Sequence, residues 1–276
     1  MAANDRVAKH RVAALQLCSG DNVAANLETC DRLLAEAAQV GCTLAFLPEN
    51  FAFFGRQDQD KLAIAEVEGS GPIQGFLSET AKRYGMALIA GSLPLVGDEG
   101  RCYGASMLFD ANGAQRAVYR KMHLFDVDIA TRGERYRESA YCTPGDDVVT
   151  VPHAAGVVGL SICYDLRFPE LYRQMAAAGA SLFSIPAAFT ETTGKAHWEI
   201  LLRARAVENL AWVIAAAQYG QHPNGRRTWG HSMIIDPWGR IVATQESGDG
   251  IIVADLDVEL TDRLRRDFPV LNHRRL

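Results

Sequence analysis

Apolar residues along the chain fall into short unbroken runs separated by amphipathic stretches. That alternation is expected of buried strands joined by covering helices. Arg11–Leu17 and Leu44–Leu47 predict strands. Between them, Asn22–Val40 carries Leu27, Leu33, Leu34 and Ala37 at helical spacing. Asp21 is a candidate N-cap for this helix and Gly41 its stop. Pro72–Tyr84 predicts a second helix, opened by proline in its first turn and stopped at Gly85. Ala87–Gly91 predicts a strand, and Tyr103–Phe109 and Ala114–Tyr119 flank Asn112-Gly113, a hairpin signal.

The second half follows the same rhythm. Val148–Val151, Val157–Ile162, Leu182–Ile185, Trp212–Ala216 and Ser232–Ile235 predict strands, with helices over Pro169–Ala178 and His197–Asn209. Asp236-Pro237-Trp238-Gly239 reads as a turn, Ile241–Ala243 and Gly250–Asp255 as closing strands, and Val258–Phe268 as a final helix. A weak internal repeat supports two related halves. The segment from Met175 through Leu182 to Ile185-Pro186 echoes that from Ala37 through Leu44 to Leu47-Pro48, 138 residues earlier. Ser106-Met107-x-x-Asp110-x-x-Gly113 likewise echoes Ser232-Met233-x-x-Asp236-x-x-Gly239. Each half reads as strand–helix–strand–helix–strand plus a hairpin, so two sheets should pack together with helices outside.

Composition narrows the class. With 48% hydrophobic and 22% charged residues in 276, the chain is neither disordered nor low in complexity. A net charge of −5 gives no bulk attraction to nucleic acid or to an anionic membrane. The longest apolar run, Leu210–Ala217, is far shorter than the roughly 20 residues that span a bilayer. Met1–His10 is polar and mixed in charge, unlike a signal peptide. The six cysteines contain no C-x-x-C pair, and the seven histidines show no metal-ligand spacing. The expectation is a cytoplasmic protein with reduced thiols, mostly buried, and no metal or cofactor.

Three segments carry candidate chemistry. Cys163 lies at the end of an apolar run and ahead of the helix at Pro169, the position of a nucleophile on a strand-to-helix elbow. A buried, inert thiol is the alternative. Glu49, in Leu47-Pro48-Glu49-Asn50, ends another apolar strand, where partial desolvation favours proton uptake. A solvated loop carboxylate is the alternative there. Lys121 follows the hairpin and, taken alone, reads as a surface residue.

In their order along the chain these segments resemble the nitrilase superfamily of carbon–nitrogen hydrolases, from about Arg11 to Arg275. The resemblance rests on Pro48-Glu49-Asn50, on Arg120-Lys121-x-His123-Leu124-Phe125-Asp126, on Cys163-Tyr164-Asp165-Leu166-Arg167-Phe168-Pro169-Glu170, and on Gly230-His231-Ser232 through Gly239. It implies one domain over residues 1–276, with a core of about 11–256 and a tail of about 257–276. The implied fold is a four-layer α-β-β-α sandwich of two mixed, mostly parallel sheets. It implies a Glu49–Lys121–Cys163 triad, with Glu138 as a second active-site glutamate. Cys163 would attack an amide carbon, expel ammonia and leave a thioester. Glu49 would act as base, and Lys121 and the Tyr164 N–H would hold the oxyanion. Substrate binding falls to Tyr164, Arg167, Phe189 and Thr193, with Arg167 suited to a substrate carboxylate unless it pairs with Asp165 or Glu170. His123 and His231 are expected to be structural hydrogen-bonders. Thr193–Asn209 and Arg227–Met233 resemble the Nit subgroup, nearest to its branch that hydrolyses deaminated glutathione. The competing readings are an ω-amidase acting on α-ketoglutaramate, another carbon–nitrogen hydrolase such as an N-carbamyl amidohydrolase, and a non-catalytic metabolite-binding relative. The resemblance also implies a homodimer or larger homo-oligomer, with the helix Lys195–Asn209 and the tail from Asp257 as contact surfaces.

Overall fold

The structure, a computed structural model, describes residues 9–129 and 134–275, so most of Met1–His10 lies outside the described residues. The first half runs β1 (Lys9–Gln16), α1 (Val23–Gln39), β2 (Leu44–Phe46), α2 (Pro72–Tyr84), β3 (Ala87–Val96), β4 (Cys102–Phe109) and β5 (Gln115–Arg120). A small ribbon follows, β6 (Asp126–Ile129) with β7 (Glu134–Arg137). The second half runs β8 (Thr150–His153), β9 (Gly156–Leu160), α3 (Pro169–Ala177), β10 (Leu182–Ser184), α4 (Glu191–Asn209) and β11 (Trp212–Ala215). It continues through a second ribbon, β12 (Tyr219–Gln221) with β13 (Arg227–Trp229), to β14 (Ser232–Ile235), β15 (Ile241–Gln245), β16 (Gly250–Asp257) and α5 (Val258–Asp267).

Two six-stranded mixed sheets form, ordered β16-β1-β2-β3-β4-β5 and β15-β14-β11-β10-β9-β8. In each, three central strands are parallel and the flanking pairs antiparallel. The repeat seen in the sequence is therefore a repeat of topology, and β2 and β10 stand 138 residues apart.

Strand alternation builds the layers. Val12, Ala14, Leu44, Phe46, Ala87 and Ile89 join Val158, Leu160, Leu182 and Ile214 in one core between the sheets. Their neighbours Ala13, Leu15, Ala45, Leu88 and Ala90 face the other way, onto Leu33, Leu34 and Ala37 of α1 and Leu77 and Ala81 of α2. On the far side Tyr172 and Met175 of α3 and Trp198 and Leu202 of α4 cover the second sheet. This is the expected four-layer sandwich, and among the described residues no helix is long and apolar enough to cross a membrane.

Some local expectations shift. Asn22, not Asp21, caps α1: its side chain accepts from Ala25 N–H, while Asp21 pairs with Arg56 at 2.6 Å. Helix α4 starts six residues before His197, because the Thr190 hydroxyl caps it by accepting from Thr193 N–H. Gly194 within it is required by close packing: a Cβ there would meet the Trp229 side chain at 2.3 Å. Strand β3 runs past Gly91 to Val96, with a register shift between Ala90 and Leu93.

Candidate active site

Glu49 sits just beyond β2, where the chain leaves the sheet. Leu47 N–H still pairs with Ile89 O at 2.9 Å, and Asn50, at φ +57°, turns the backbone with its N–H on Ser92 Oγ. Strand β3 passes so close beneath that a Cβ on Gly91 would lie 2.1 Å from the carbonyl oxygens of both Leu47 and Pro48. Lys121 leaves the end of β5 with its N–H on Gly104 O and its carbonyl accepting from Gly145 N–H. Cys163 opens a 3₁₀ turn, Cys163–Arg167, at φ +50°. A non-glycine residue held there costs about 1–3 kcal/mol, and such strain collects at functional turns. Its backbone N–H is held by Pro186 O at 2.8 Å, which fixes the elbow against the loop after β10.

These three segments, distant in sequence, meet in one buried cluster. Lys121 Nζ donates to Glu49 Oε1 at 3.0 Å and to Glu138 at 2.9 and 3.1 Å. The other Glu49 oxygen accepts from Ala188 N–H at 2.8 Å, and Glu138 Oε2 accepts from Phe125 N–H at 2.7 Å. Burial opposes the Lys121 charge, but Glu138 and Glu49 outweigh it and hold the ammonium well above its usual range. Burial likewise favours a neutral Glu138, yet Lys121 and Lys61 keep its carboxyl below the usual value. Burial and the Glu49 charge push the Cys163 thiol well above its ordinary range, with Lys121 pulling the other way and a hydrogen bond to Glu49 holding the proton. The resting site thus keeps the Cys163 thiol protonated and Lys121 charged, with Glu49 and Glu138 both on the ammonium.

Asp165, fully buried, ties the lysine and cysteine segments together. It accepts from Ile162 N–H (2.8 Å), from the Tyr119 hydroxyl (2.6 Å) and from His123 N–H (3.0 Å), and its Oδ1 lies 2.7 Å from His123 Nδ1. His123 also stacks on Phe168, and His231 stacks on Trp229.

The cluster opens into a cavity of about 600 Å³ including its mouth. All the residues expected there from the sequence line it: Glu49, Lys121, Glu138 and Cys163, with Tyr164, Arg167, Phe189 and Thr193 around them. The Arg167 guanidinium lies over the rings of Phe189 (5.2 Å) and Tyr164 (5.8 Å). The expected alternative pairing does not form: Asp165 is spent on other donors, and among the described residues no carboxylate pairs with Arg167, whose one polar contact is His197 Nδ1 at 3.3 Å. Sequence reasoning missed Asp58, Lys61, Tyr136, Arg137 and Arg226, which also line the cavity. They come from a short 3₁₀ helix (Asp58–Ile64) and from the two ribbons, which carry little apolar periodicity. The only sequence signal was indirect, Arg137 standing next to Glu138.

Residues 11–266 match the carbon-nitrogen hydrolase family model. The deaminated glutathione amidase of Yersinia enterocolitica is 42% identical over 268 residues, covering 96% of this chain and 92% of that protein. The mouse (Mus musculus) protein of the same name is 43% identical over 269 residues, covering 96% and 83%. The crystal structure of the C. elegans NitFhit protein superposes with a TM-score of 0.89 at 37% identity. That comparison covers 97% of this chain but only 65% of the longer worm protein.

Proposed function

The chain belongs to the carbon-nitrogen hydrolase family and is an amidase, and we propose that Cys163 is its nucleophile, acting on a small amide with a carboxylate on the acyl chain. One observation carries this reading: Glu49, ion-paired to Lys121, lines with it and Cys163 one cavity that also presents Arg167. Glu49 takes the thiol proton as sulfur attacks the carbonyl carbon. The tetrahedral oxyanion is held by Lys121 Nζ and the Tyr164 N–H. Glu49 returns the proton to the leaving nitrogen, the C–N bond breaks, and a thioester remains. Water, deprotonated by Glu49, then releases the acid and restores the thiol. Glu138 keeps Lys121 charged and aimed.

Arg167 supports the carboxylate preference, since its faces are covered by rings and its N–H edge stays available to an anion. Deaminated glutathione is the preferred substrate on similarity to the two amidases above, and α-ketoglutaramate the runner-up. Deaminated glutathione has no primary amide, so the group expelled from it is a peptide amine, and ammonia release reports only on the runner-up. The exposed apolar side chains Ile200 and Val207 on α4, with Trp238 and Val242 beyond it, support a homo-oligomer through this face. Six free cysteines suit a reducing, cytoplasmic setting. Mass spectrometry of both fragments from the two amides is the test. Faster turnover of deaminated glutathione, abolished in Cys163→Ala, is expected. Near-normal turnover in that variant overturns covalent catalysis, and faster turnover of α-ketoglutaramate moves the chain to the ω-amidase reading.

A further inference from the structure

The catalytic cavity does not end at the residues that surround Cys163. Asp58, Tyr136 and Arg226 line both it and an outer recess, so they form the boundary between the two. Arg226 precedes β13 in the loop of the second ribbon, and that loop is firmly built. His222 N–H pairs with Arg226 O at 2.9 Å, and Arg226 N–H with Asn224 Oδ1 at 3.0 Å. The buried His222 ring is fixed between Ser19 O and Thr228 Oγ1 and stacks on Phe54 at 3.8 Å. The Arg226 guanidinium lies over Tyr136 at 4.5 Å and over Phe54 at 5.7 Å. Its ion pair with Asp58 is long, 3.4 Å, although its side chain is only 18% exposed.

We propose that Arg226 forms a second anion subsite at the cavity mouth, which takes a carboxylate carried on the leaving-amine side of the substrate. The proposal rests on the amidase reading above, with Arg167 holding the acyl-side carboxylate. Charge supports it. Five cations line the inner cavity against three carboxylates, an excess of two positive charges. Lys121 is held by Glu49 and Glu138, and Arg137 by Asp128 and the Tyr136 carbonyl, whereas the carboxylate on Arg226 is the more distant Asp58. Arg167 and Arg226 share one geometry, a guanidinium laid on two aromatic rings. Rings cover the face of the fork and leave its in-plane N–H edge for a bidentate carboxylate. Two such forks in one cavity match an amide with an anionic group at each end. Asp58, 39% exposed, adds a repulsion that solvent screens.

The test measures binding apart from turnover. In the Cys163→Ala protein, calorimetry compares deaminated glutathione, charged at both ends, with α-ketoglutaramate, charged only on the acyl side. Adding Arg226→Gln should weaken deaminated glutathione at least tenfold while α-ketoglutaramate changes less than threefold. Arg226→Lys should fall between, because a point charge lacks the fork, and it stands in if the glutamine variant does not fold. An equal effect on both ligands, or none on either, overturns the subsite. If the unmodified enzyme hydrolyses neither amide yet binding still depends selectively on Arg226, the substrate reading fails and the subsite stands.

Discussion

Replacing Lys121 by Met removes the one cation that Glu49 and Glu138 share, with little change of shape. Each contact, near 3 Å, has a gross Coulomb energy of about 5–6 kcal/mol at an effective dielectric of 20. Desolvation of the buried ammonium offsets most of that, and breaking such a buried pair typically costs about 3–5 kcal/mol. The loss has an upper bound set by protonation. Without Lys121, burial is the largest single influence left on Glu138, opposed by Lys61 and the Phe125 N–H, and the expected outcome is a carboxyl above the ordinary value. Folding at pH 7 with one proton added to a carboxyl of ordinary pKa about 4.3 costs about 3.7 kcal/mol, and at pH 5 only about 1 kcal/mol. The sign therefore reverses between the two proteins. In the unmodified protein the Glu138 value is depressed, so its stabilisation is present above pH 4–5 and lost as pH falls. In Lys121→Met the value is raised, so its stabilisation is present in acid and lost as pH rises through the new value. Lys121 itself stays charged throughout pH 5–8 and adds no slope. Thermal melts from pH 5 to 8 should show a deficit of roughly 10 °C at pH 7 that shrinks markedly at pH 5. A deficit equal at both ends of the range would refute the shared-cation account and leave only packing.

Three further outcomes follow from the same geometry. Glu49→Gln should lower kcat by about two orders of magnitude or more while the fold survives, since the amide keeps the shape but accepts no proton; kcat within tenfold of the unmodified enzyme contradicts its role as base. Alkylation of Cys163 by iodoacetamide in the free enzyme should keep accelerating beyond pH 8, because burial and Glu49 hold its thiol up, and a plateau below pH 7.5 contradicts that direction. Gly91→Ala should destabilise by about 3 kcal/mol or more, as severe overpacking does, whereas Gly104→Ala, whose Cβ would rest 3.8 Å from Lys121, should be tolerated; equal melting temperatures would show that the Leu47–Pro48 carbonyls yield freely.

The sheets were legible because central strands such as β2, β10 and β11 are continuous apolar runs buried on both faces, and Gly/Pro punctuation fixed where most of them stop. The meeting of Glu49, Lys121 and Cys163, the candidate trio, was legible for a related reason: Glu49 and Cys163 each follow such a run, and Lys121 follows a hairpin whose turn Asn112-Gly113 announces. Caps were less so. Asp21 and Asn22 are equally good on paper, and only the tertiary pull of Arg56 on Asp21 decides between them. The outer wall of the cavity was not legible at all. Arg226 and Tyr136 stand in polar ribbons whose positions depend on contacts across more than 100 residues, such as Arg226 on Asp58. Asp165 lay inside a recognised motif, yet its hub of four contacts becomes visible only when Tyr119 and His123 are brought beside it.

The ladder between β1 and β16 pairs eight positions, from Lys9 opposite Asp257 to Gln16 opposite Gly250. Among the sheet strands, β1 is the first made by the ribosome and β16 the last. At about 5–20 residues per second, the edge of β1 waits roughly 10–50 s for its neighbour. The second sheet suffers no such delay, since its strands all lie between residues 150 and 245. A nascent chain therefore carries an unpaired, apolar edge through nearly all of its synthesis, the kind of surface that recruits holding chaperones or seeds aggregates. Chains truncated before Gly250 would keep that edge permanently and should partition into the insoluble fraction even though every residue contacting the thiol is present.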